Sequence, residues 1–276
     1  MTAATTAPAA TTTRAATTAA AGARRAPRLG GFSPTLIGLE IRRVLRNRRN
    51  AIFTMIMPAV FFLIFGTSRE FRTQSIGDGG NVTGYVLVSM AVYAALLATT
   101  AAGAAVSIER AAGWSRQLRL TPLRPGAYIA VKVIVGMLSG AVAVAAVSVV
   151  GAFAGARLSP GDWVACLLLA WGCALVFAAF GLFMGYLLPS ENVMQVLGPV
   201  LAVLSFAGGL FIPPEQLGTV LADIAPYFPT YGVAHLARYP LTQDGSLAGA
   251  ILNVALWTLV FTAGAIWRFR RDTARV

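Results

Sequence analysis

Residues 109–132 read ERAAGWSRQLRLTPLRPGAYIAVK and gather Glu109, Arg110, Arg116, Arg119, Arg124 and Lys132 between two apolar runs. Such a set offers docking chemistry, not bond-making chemistry. Trp114, Leu118 and Leu120 with Ala111 form one side of a short helix, and Pro122 and Pro125 stop it. Two readings fit: an amphipathic helix that docks a partner, or a basic loop that fixes orientation in a membrane. Other groups offer less. Lys132 is the only lysine, in VKV, and no GxxxxGK[ST] loop exists, so the chain cannot itself form that ATP site. HExxH, CxxC and GxSxG are absent. Cys166 and Cys173 share one apolar run, without the polar company of a disulfide or metal framework. His235, the single histidine, reads as a partner in a local hydrogen bond rather than a metal or proton site. Paired carboxylates inside apolar runs, expected of a proton-driven carrier, are missing. No catalytic, cofactor-binding or metal-ligating residue is assigned.

The elements that must position this island are membrane spans. Hydrophobic residues make up 57% of the chain and charged ones 12%, against about 25% charged in a soluble domain. The net charge of +12 does not indicate nucleic acid, because the arginines stand at the ends of apolar runs. A hydrocarbon core needs about 20 apolar residues per helix. Six spans are expected: 51–67, 82–108, 127–156, 163–188, 193–212 and 247–267. Lys132 lies near enough to a span end to snorkel.

Before the first span, residues 1–32 are rich in Ala and Thr and read as a disordered tail. Ser33 and Pro34 look like an N-cap and a first helical residue. Ile37, Ile41, Val44 and Leu45 then share one helical face, with Arg42 and Arg46 among the residues off it. That pattern, over 33–50, is an amphipathic helix lying at the membrane interface with its arginines at the lipid headgroups. Residues 268–276 form a basic tail. Eighteen of the 22 basic residues fall on one side if the N-terminus is inside, which places both termini and the 109–125 island in the cytoplasm.

Gly136 and Gly140, Gly151 and Gly155, and Gly181 and Gly185 stand four apart, a spacing that permits close helix approach in lipid. Residues 208–245 are too apolar for a free loop and are broken by Pro213, Pro214, Pro226, Pro229 and Pro240. Two short helices, about 214–225 and 229–238, are expected there, dipping into the outer leaflet.

Three features together resemble a known family. They are the basic amphipathic helix, the island Glu109-Arg110, Gly113-Trp114, Leu118-Arg119, Thr121-Pro122-Leu123 with Tyr128 and Lys132, and Gly208-Gly209-Leu210-Phe211-Ile212-Pro213 followed by proline-punctuated helices. Over about 33–270 the chain resembles ABC transporter permeases of the type-2 exporter kind, close in pattern to actinobacterial daunorubicin-resistance-type permeases. Leu217-Gly218 departs from the usual Leu-Pro. The resemblance implies an all-α integral membrane protein with six transmembrane helices, an interfacial helix, a cytoplasmic coupling helix and outer re-entrant helices, in the plasma membrane. It implies an exporter subunit for a hydrophobic drug, antibiotic or lipid-like compound, with polysaccharide or glycolipid export, or a non-transporting scaffold, as alternatives. It implies two ABC ATPase subunits that carry ATP and Mg, a second permease (the same chain or a homologue), and lipid as partners. Glu109, Arg110, Gly113, Trp114, Arg116, Leu118, Arg119, Thr121, Pro122 and Leu123 would form the ATPase coupling stretch, and Gly208, Gly209, Pro213, Pro226 and Pro229 an outer gate.

Overall fold

The computed structural model describes residues 34–47, 52–77, 79–113 and 125–274. The expectations for the tail, for Ser33, and for Trp114, Arg116, Leu118, Arg119, Thr121, Pro122 and Leu123 lie outside the described residues. In chain order the elements begin with α1 (Pro34–Arg46) and a π-helical turn (Ile52–Ile56) that runs into α2 (Met57–Gly66). Next come α3 (Arg69–Thr73), a two-stranded ribbon of β1 (Ser75–Ile76) and β2 (Gly80–Asn81), α4 (Val82–Ala111) and α5 (Pro125–Phe153). After them stand α6 (Pro160–Cys173), α7 (Leu175–Leu187), α8 (Val193–Ala207), a 3-10 turn (Pro214–Leu217) and α9 (Thr219–Ile224). A second 3-10 turn (Ala225–Tyr227), α10 (Pro229–Thr242) and α11 (Leu247–Ala274) complete the described chain. The ribbon is antiparallel, with Ser75 opposite Asn81 and Ile76 opposite Gly80.

Among the described residues, four segments are long and apolar enough to cross a membrane: Val82–Ala111, Gly126–Phe153, Pro160–Leu187 and Leu247–Arg271. Ile52–Gly66 and Val193–Ala207 are apolar but shorter. At 15 residues, the second of these is only about 22 Å long as a helix. The 163–188 run is continuous in hydropathy yet breaks at Ala174, whose amide turns back to the Trp171 carbonyl at 3.1 Å.

Helix α4 is the axis of the bundle. It is buried along most of its length, and α2, α5, α6, α7 and α10 all pack on it. Lipid gives apolar helices no hydrophobic reason to associate, so close packing and hydrogen bonds must hold them. Glycine supplies the packing against α7. A Cβ at Gly181 would lie 2.4 Å from the Thr100 carbonyl oxygen, and one at Gly103 would lie 2.6 Å from the Leu182 amide nitrogen. By contrast, α11 buries one side against α7 and α10 and exposes Leu252, Leu256, Leu259 and Val260 on the other.

Hydrogen bonds define two ends of the bundle. At one, Asn81 is buried and caps α4 by accepting from the Gly84 amide at 2.8 Å. The same oxygen accepts from the Arg157 amide at 2.9 Å. Its amide nitrogen donates to the Arg72 and Gly155 carbonyls at 3.2 and 3.0 Å. One side chain thus joins the start of α4 to α3 and to the turn after α5. At the other end lie α1, the last turn of α4, the first turns of α5 and the end of α7. The π-turn, α2 and α8 also pack on α4.

Candidate coupling site

The basic end of the bundle is built on one buried carboxylate. Glu109 sits in the last turn of α4, four residues before Gly113, whose φ of +73° turns the chain out of the helix. Its Oε1 accepts from Lys132 Nζ at 2.6 Å and from Arg43 Nη1 at 2.9 Å. Its Oε2 accepts from the Tyr128 hydroxyl. Lys132 also donates to Glu40 Oε2 at 3.0 Å. Lys132 and Glu109 side chains are each 3% exposed, whereas Arg43 is 57% exposed.

Two sequence expectations are corrected here. Lys132 does not snorkel; two carboxylates hold it inside the bundle. Glu109 is not a surface contact for a partner, because its oxygens are spent on Lys132, Arg43 and Tyr128. Glu40 and Glu109 meet on this one ammonium at the end of the bundle, outside the apolar runs. Elementary charge balance explains the arrangement. A buried carboxylate alone is costly, and the ammonium with the Arg43 guanidinium matches two negative charges with two positive ones.

Arg110 turns inward as well. Its Nη1 donates to the Gly185 and Tyr186 carbonyls, each at 3.1 Å, and its guanidinium lies 5.5 Å from the Tyr186 ring centre. These are among the last carbonyls of α7, which a cation satisfies well. Ser107 donates to the Leu188 carbonyl at 3.1 Å, which fastens the connection between α7 and α8 to α4. On α1, Ile37, Ile41 and Val44 are half-buried while Arg42 and Arg46 are exposed. The Leu45 side chain lies outside the described residues. Glu40 falls on the same face as Ile37, Ile41 and Val44, and that placement was the available signal for its burial.

The far end carries the Gly208 to Pro229 set. A Cβ at Gly208 would lie 2.1 Å from Thr230 Oγ1, so α8 and α10 touch there. Thr230 donates to the Leu204 carbonyl. Gly209 has φ +72°. Arg238, unremarked in the sequence, is buried and ties this turn down. It donates to Ser89 Oγ at 2.6 Å and to the Gly209 and Leu210 carbonyls at 2.9 and 3.2 Å, above the Tyr85 ring at 4.4 Å. Pro213 precedes the first 3-10 turn, and the Pro226 carbonyl accepts from Asn253 at 2.7 Å. Pro229 is the first residue of α10. Gly218 takes φ +102°, a value closed to proline, and it divides the expected 214–225 helix into a 3-10 turn and α9. His235 stacks on Tyr231 with centroids 6.0 Å apart, and its Nε2 is buried with no hydrogen-bond partner among the described residues. Burial, with Arg238 beside it, holds His235 below the usual histidine range.

Between the π-turn with α2, α4 and α8 lies a cavity of about 580 Å3. Phe53, Met57, Phe61, Tyr93, Leu97, Met194, Leu197 and Leu201 supply most of its wall, with Asn47, Thr54 and Thr100 as polar members. Among the described residues no charged side chain lines it. A π-turn is rare and often sits at a functional site; its only mark in the sequence is a short first span.

Comparison with known proteins fits this architecture. The sequence family described as ABC-2 type transporter matches residues 35–238, from α1 through to Arg238. YvfS of Bacillus subtilis (strain 168), a protein named as a transport permease, is 26% identical over 209 residues, covering 75% of this chain and 84% of its own. A helical membrane bundle with a matched family region spanning most of its length admits one conclusion: the chain belongs to the ABC-2 type transporter family.

Proposed function

We propose that this chain is the permease subunit of an ATP-driven exporter in the plasma membrane, moving a hydrophobic drug, antibiotic or lipid-like compound outward. ATP and Mg are bound and hydrolysed in a separate ABC ATPase chain, present in two copies. A second permease, the same chain or a homologue, completes the pathway. The observation that carries the cargo class is the largely apolar cavity against α4, whose described lining holds no charged side chain and has hydroxyl and amide groups at only a few points. Pockets for apolar ligands have this make-up. The π-turn with α2, and α8, cross the membrane as the first and fifth spans, a reading supported by their apolar composition and their packing on α4. The stretch 109–123 couples the chain to the ATPase, and at its start Glu109 is anchored to Lys132 at the end of the bundle. Both termini are cytoplasmic.

The deciding experiment is reconstitution in proteoliposomes, with and without the ATPase chain encoded beside it. The chain alone is expected to hydrolyse no ATP, and the complex to move a fluorescent hydrophobic drug only with ATP and Mg. Hydrolysis by the pure chain overturns the division of labour. A complex that hydrolyses ATP and moves lipid-linked sugar but no hydrophobic compound overturns the cargo class. Gly198→Trp refines the test. Gly198 lines the cavity and a Cβ there meets nothing within 4 Å, so the indole fills the cavity and lowers transport without lowering thermal stability.

Orientation has its own check. Reporter fusions after residue 276 and within 69–80 are expected to report opposite faces, the former cytoplasmic; the same face at both would end the topology. For the coupling segment, cysteine at 114 is expected to cross-link to the ATPase, because tryptophan commonly anchors interfaces. Cross-linking from 117 but not 114 reverses the assigned face. No cross-link from any position between 109 and 123 removes the coupling role.

A further inference from the structure

We propose that Tyr93 selects the compound held in the cavity, a role that rests on the cargo reading above. Its hydroxyl donates a hydrogen bond to one oxygen acceptor, a carbonyl or an ether, on an otherwise apolar molecule.

Helix α4 gives the cavity one face, with Tyr93, Leu97, Thr100 and Ala101 at the spacing of a helical stripe. Polar groups in the described lining are few, and the others are engaged. Thr100 Oγ1 donates to the Phe177 carbonyl at 3.3 Å, toward α7, which adds no residue to the lining. Asn47 and Thr54 hold partners of their own. The Tyr93 hydroxyl has no hydrogen-bond partner among the described residues. Tyr93 is only 7% exposed and lines the cavity, so the little surface it shows faces that space. A buried tyrosine hydroxyl normally finds a partner. One left open beside an apolar space marks where a ligand atom supplies it.

The ring that carries this hydroxyl is fixed. Phe61 stacks on it with centroids 6.3 Å apart and planes 14° from parallel. Phe211 meets it at 4.9 Å and 67°. Phe211 stands just after Gly209, whose carbonyl Arg238 holds, and Phe206 packs on Phe211 at 4.8 Å. Rings on two sides keep the phenol from swinging, so little freedom is lost when a ligand binds. A phenol can donate and accept, but its oxygen shares a lone pair with the ring, which makes the proton the stronger recognition group. An ionic head group would meet no counter-charge in the described lining. A neutral molecule with one carbonyl or ether satisfies the proton while the rest of it touches apolar wall. A hydrocarbon of the same shape leaves the phenol unpaired, which a site of this kind penalises.

The test uses the full chain in lipid nanodiscs and two neutral probes of similar shape, benzophenone and diphenylmethane. They differ by a carbonyl against a methylene. Light attaches benzophenone to nearby C–H bonds, so its affinity is read from saturation of labelling and its position by mass spectrometry. Diphenylmethane is read by competition. Each probe partitions into the same lipid whichever variant is present, so partition cancels between variants. In the native chain, label is expected on cavity residues such as Met57 and Leu197. Tyr93→Phe keeps the ring and its contacts. It is expected to weaken benzophenone about fivefold and to leave diphenylmethane unchanged within about twofold. Phe211→Leu keeps the hydroxyl but frees the ring, and is expected to lose part of the ketone's advantage; an undiminished advantage overturns the part given to the fixed ring. Equal benzophenone affinity in the native chain and Tyr93→Phe, with label in the cavity, overturns the role of Tyr93 and leaves the cargo class standing. An equal loss for both probes assigns Tyr93 to packing and overturns it as well. Native label found only outside the cavity, or none at all, removes the binding site itself, and the cargo reading falls together with the role of Tyr93.

Discussion

Gly181→Leu is expected to prevent the bundle from assembling. A Cβ at 181 would fall 2.4 Å from the carbonyl oxygen and 2.8 Å from the Cα of Thr100. These are backbone atoms of a buried helix, so no side chain can rotate away. Overpacking a core ordinarily costs about 1–3 kcal/mol. Here two helix axes must separate, and the contact between α4 and α7 is among the most extensive in the molecule. A loss at or above about 3 kcal/mol follows on that scale. The measurement is the folded fraction in detergent and its unfolding midpoint. Gly172→Leu is the control, on the same 160–187 run, at an exposed glycine whose Cβ would meet nothing within 4 Å. Equal behaviour of the two variants would refute the close approach of α4 and α7.

Arg238→Met is the second large effect. The guanidinium serves Ser89 and the Gly209 and Leu210 carbonyls at once. Each hydrogen bond to a charged group contributes about 1.5–3 kcal/mol, and each buried acceptor left unmade costs about 1–3 kcal/mol. Methionine keeps much of the volume and the contact with Tyr85, so the loss isolates the polar part. The expected readouts are a lowered unfolding midpoint and faster amide hydrogen exchange over 208–212. Arg238→Lys should recover only part of it, since an ammonium lacks the planar fork that reaches two carbonyls and a hydroxyl together. Unchanged exchange at 208–212 would mean that this turn is held by the Gly208–Thr230 contact alone.

Much of the helical framework is legible in the chain because hydropathy is a local signal. The runs at 82–108, 127–156 and 247–267 are long, uncharged in their centres, and correspond to full-length helices, while 163–188 corresponds to two shorter ones. The helical spacing of Ile37, Ile41 and Val44 corresponds to α1. Pro229 at a helix start, and Pro226 just before it, mark where α10 begins. The shorter segments are harder to read, because 193–212 continues in hydropathy beyond Ala207 while the backbone turns at Gly208 and Gly209. The break at Ala174 carries no proline or charge and leaves no trace in the sequence.

The charged contacts were not legible, and the reason is distance along the chain. Lys132 looks like a residue at a span end. Only Glu40, 92 positions earlier, explains why it can stay buried. Glu109 stands among arginines and reads as part of a docking surface until its three donors are known. Arg238 is the lone basic residue of the 208–245 stretch, which was a usable signal, but its acceptors on α4 and after α8 lie 149 and 28 or 29 positions away. Spacing rules describe neighbours on one helix; these sites are made by several.

The Asn81 junction has a consequence for biosynthesis. Its oxygen cannot accept from the Arg157 amide until that residue exists, 76 positions later. At a ribosomal rate of about 5–20 residues per second, that interval is about 4–15 s. Until it ends the first turn of α4 is incompletely tied, and a helical hairpin of α4 and α5 must form before the knot closes. The first two of the long hydrophobic segments are therefore committed as a pair, and an arrest of synthesis before residue 157 should leave the hairpin's far end open to membrane proteases.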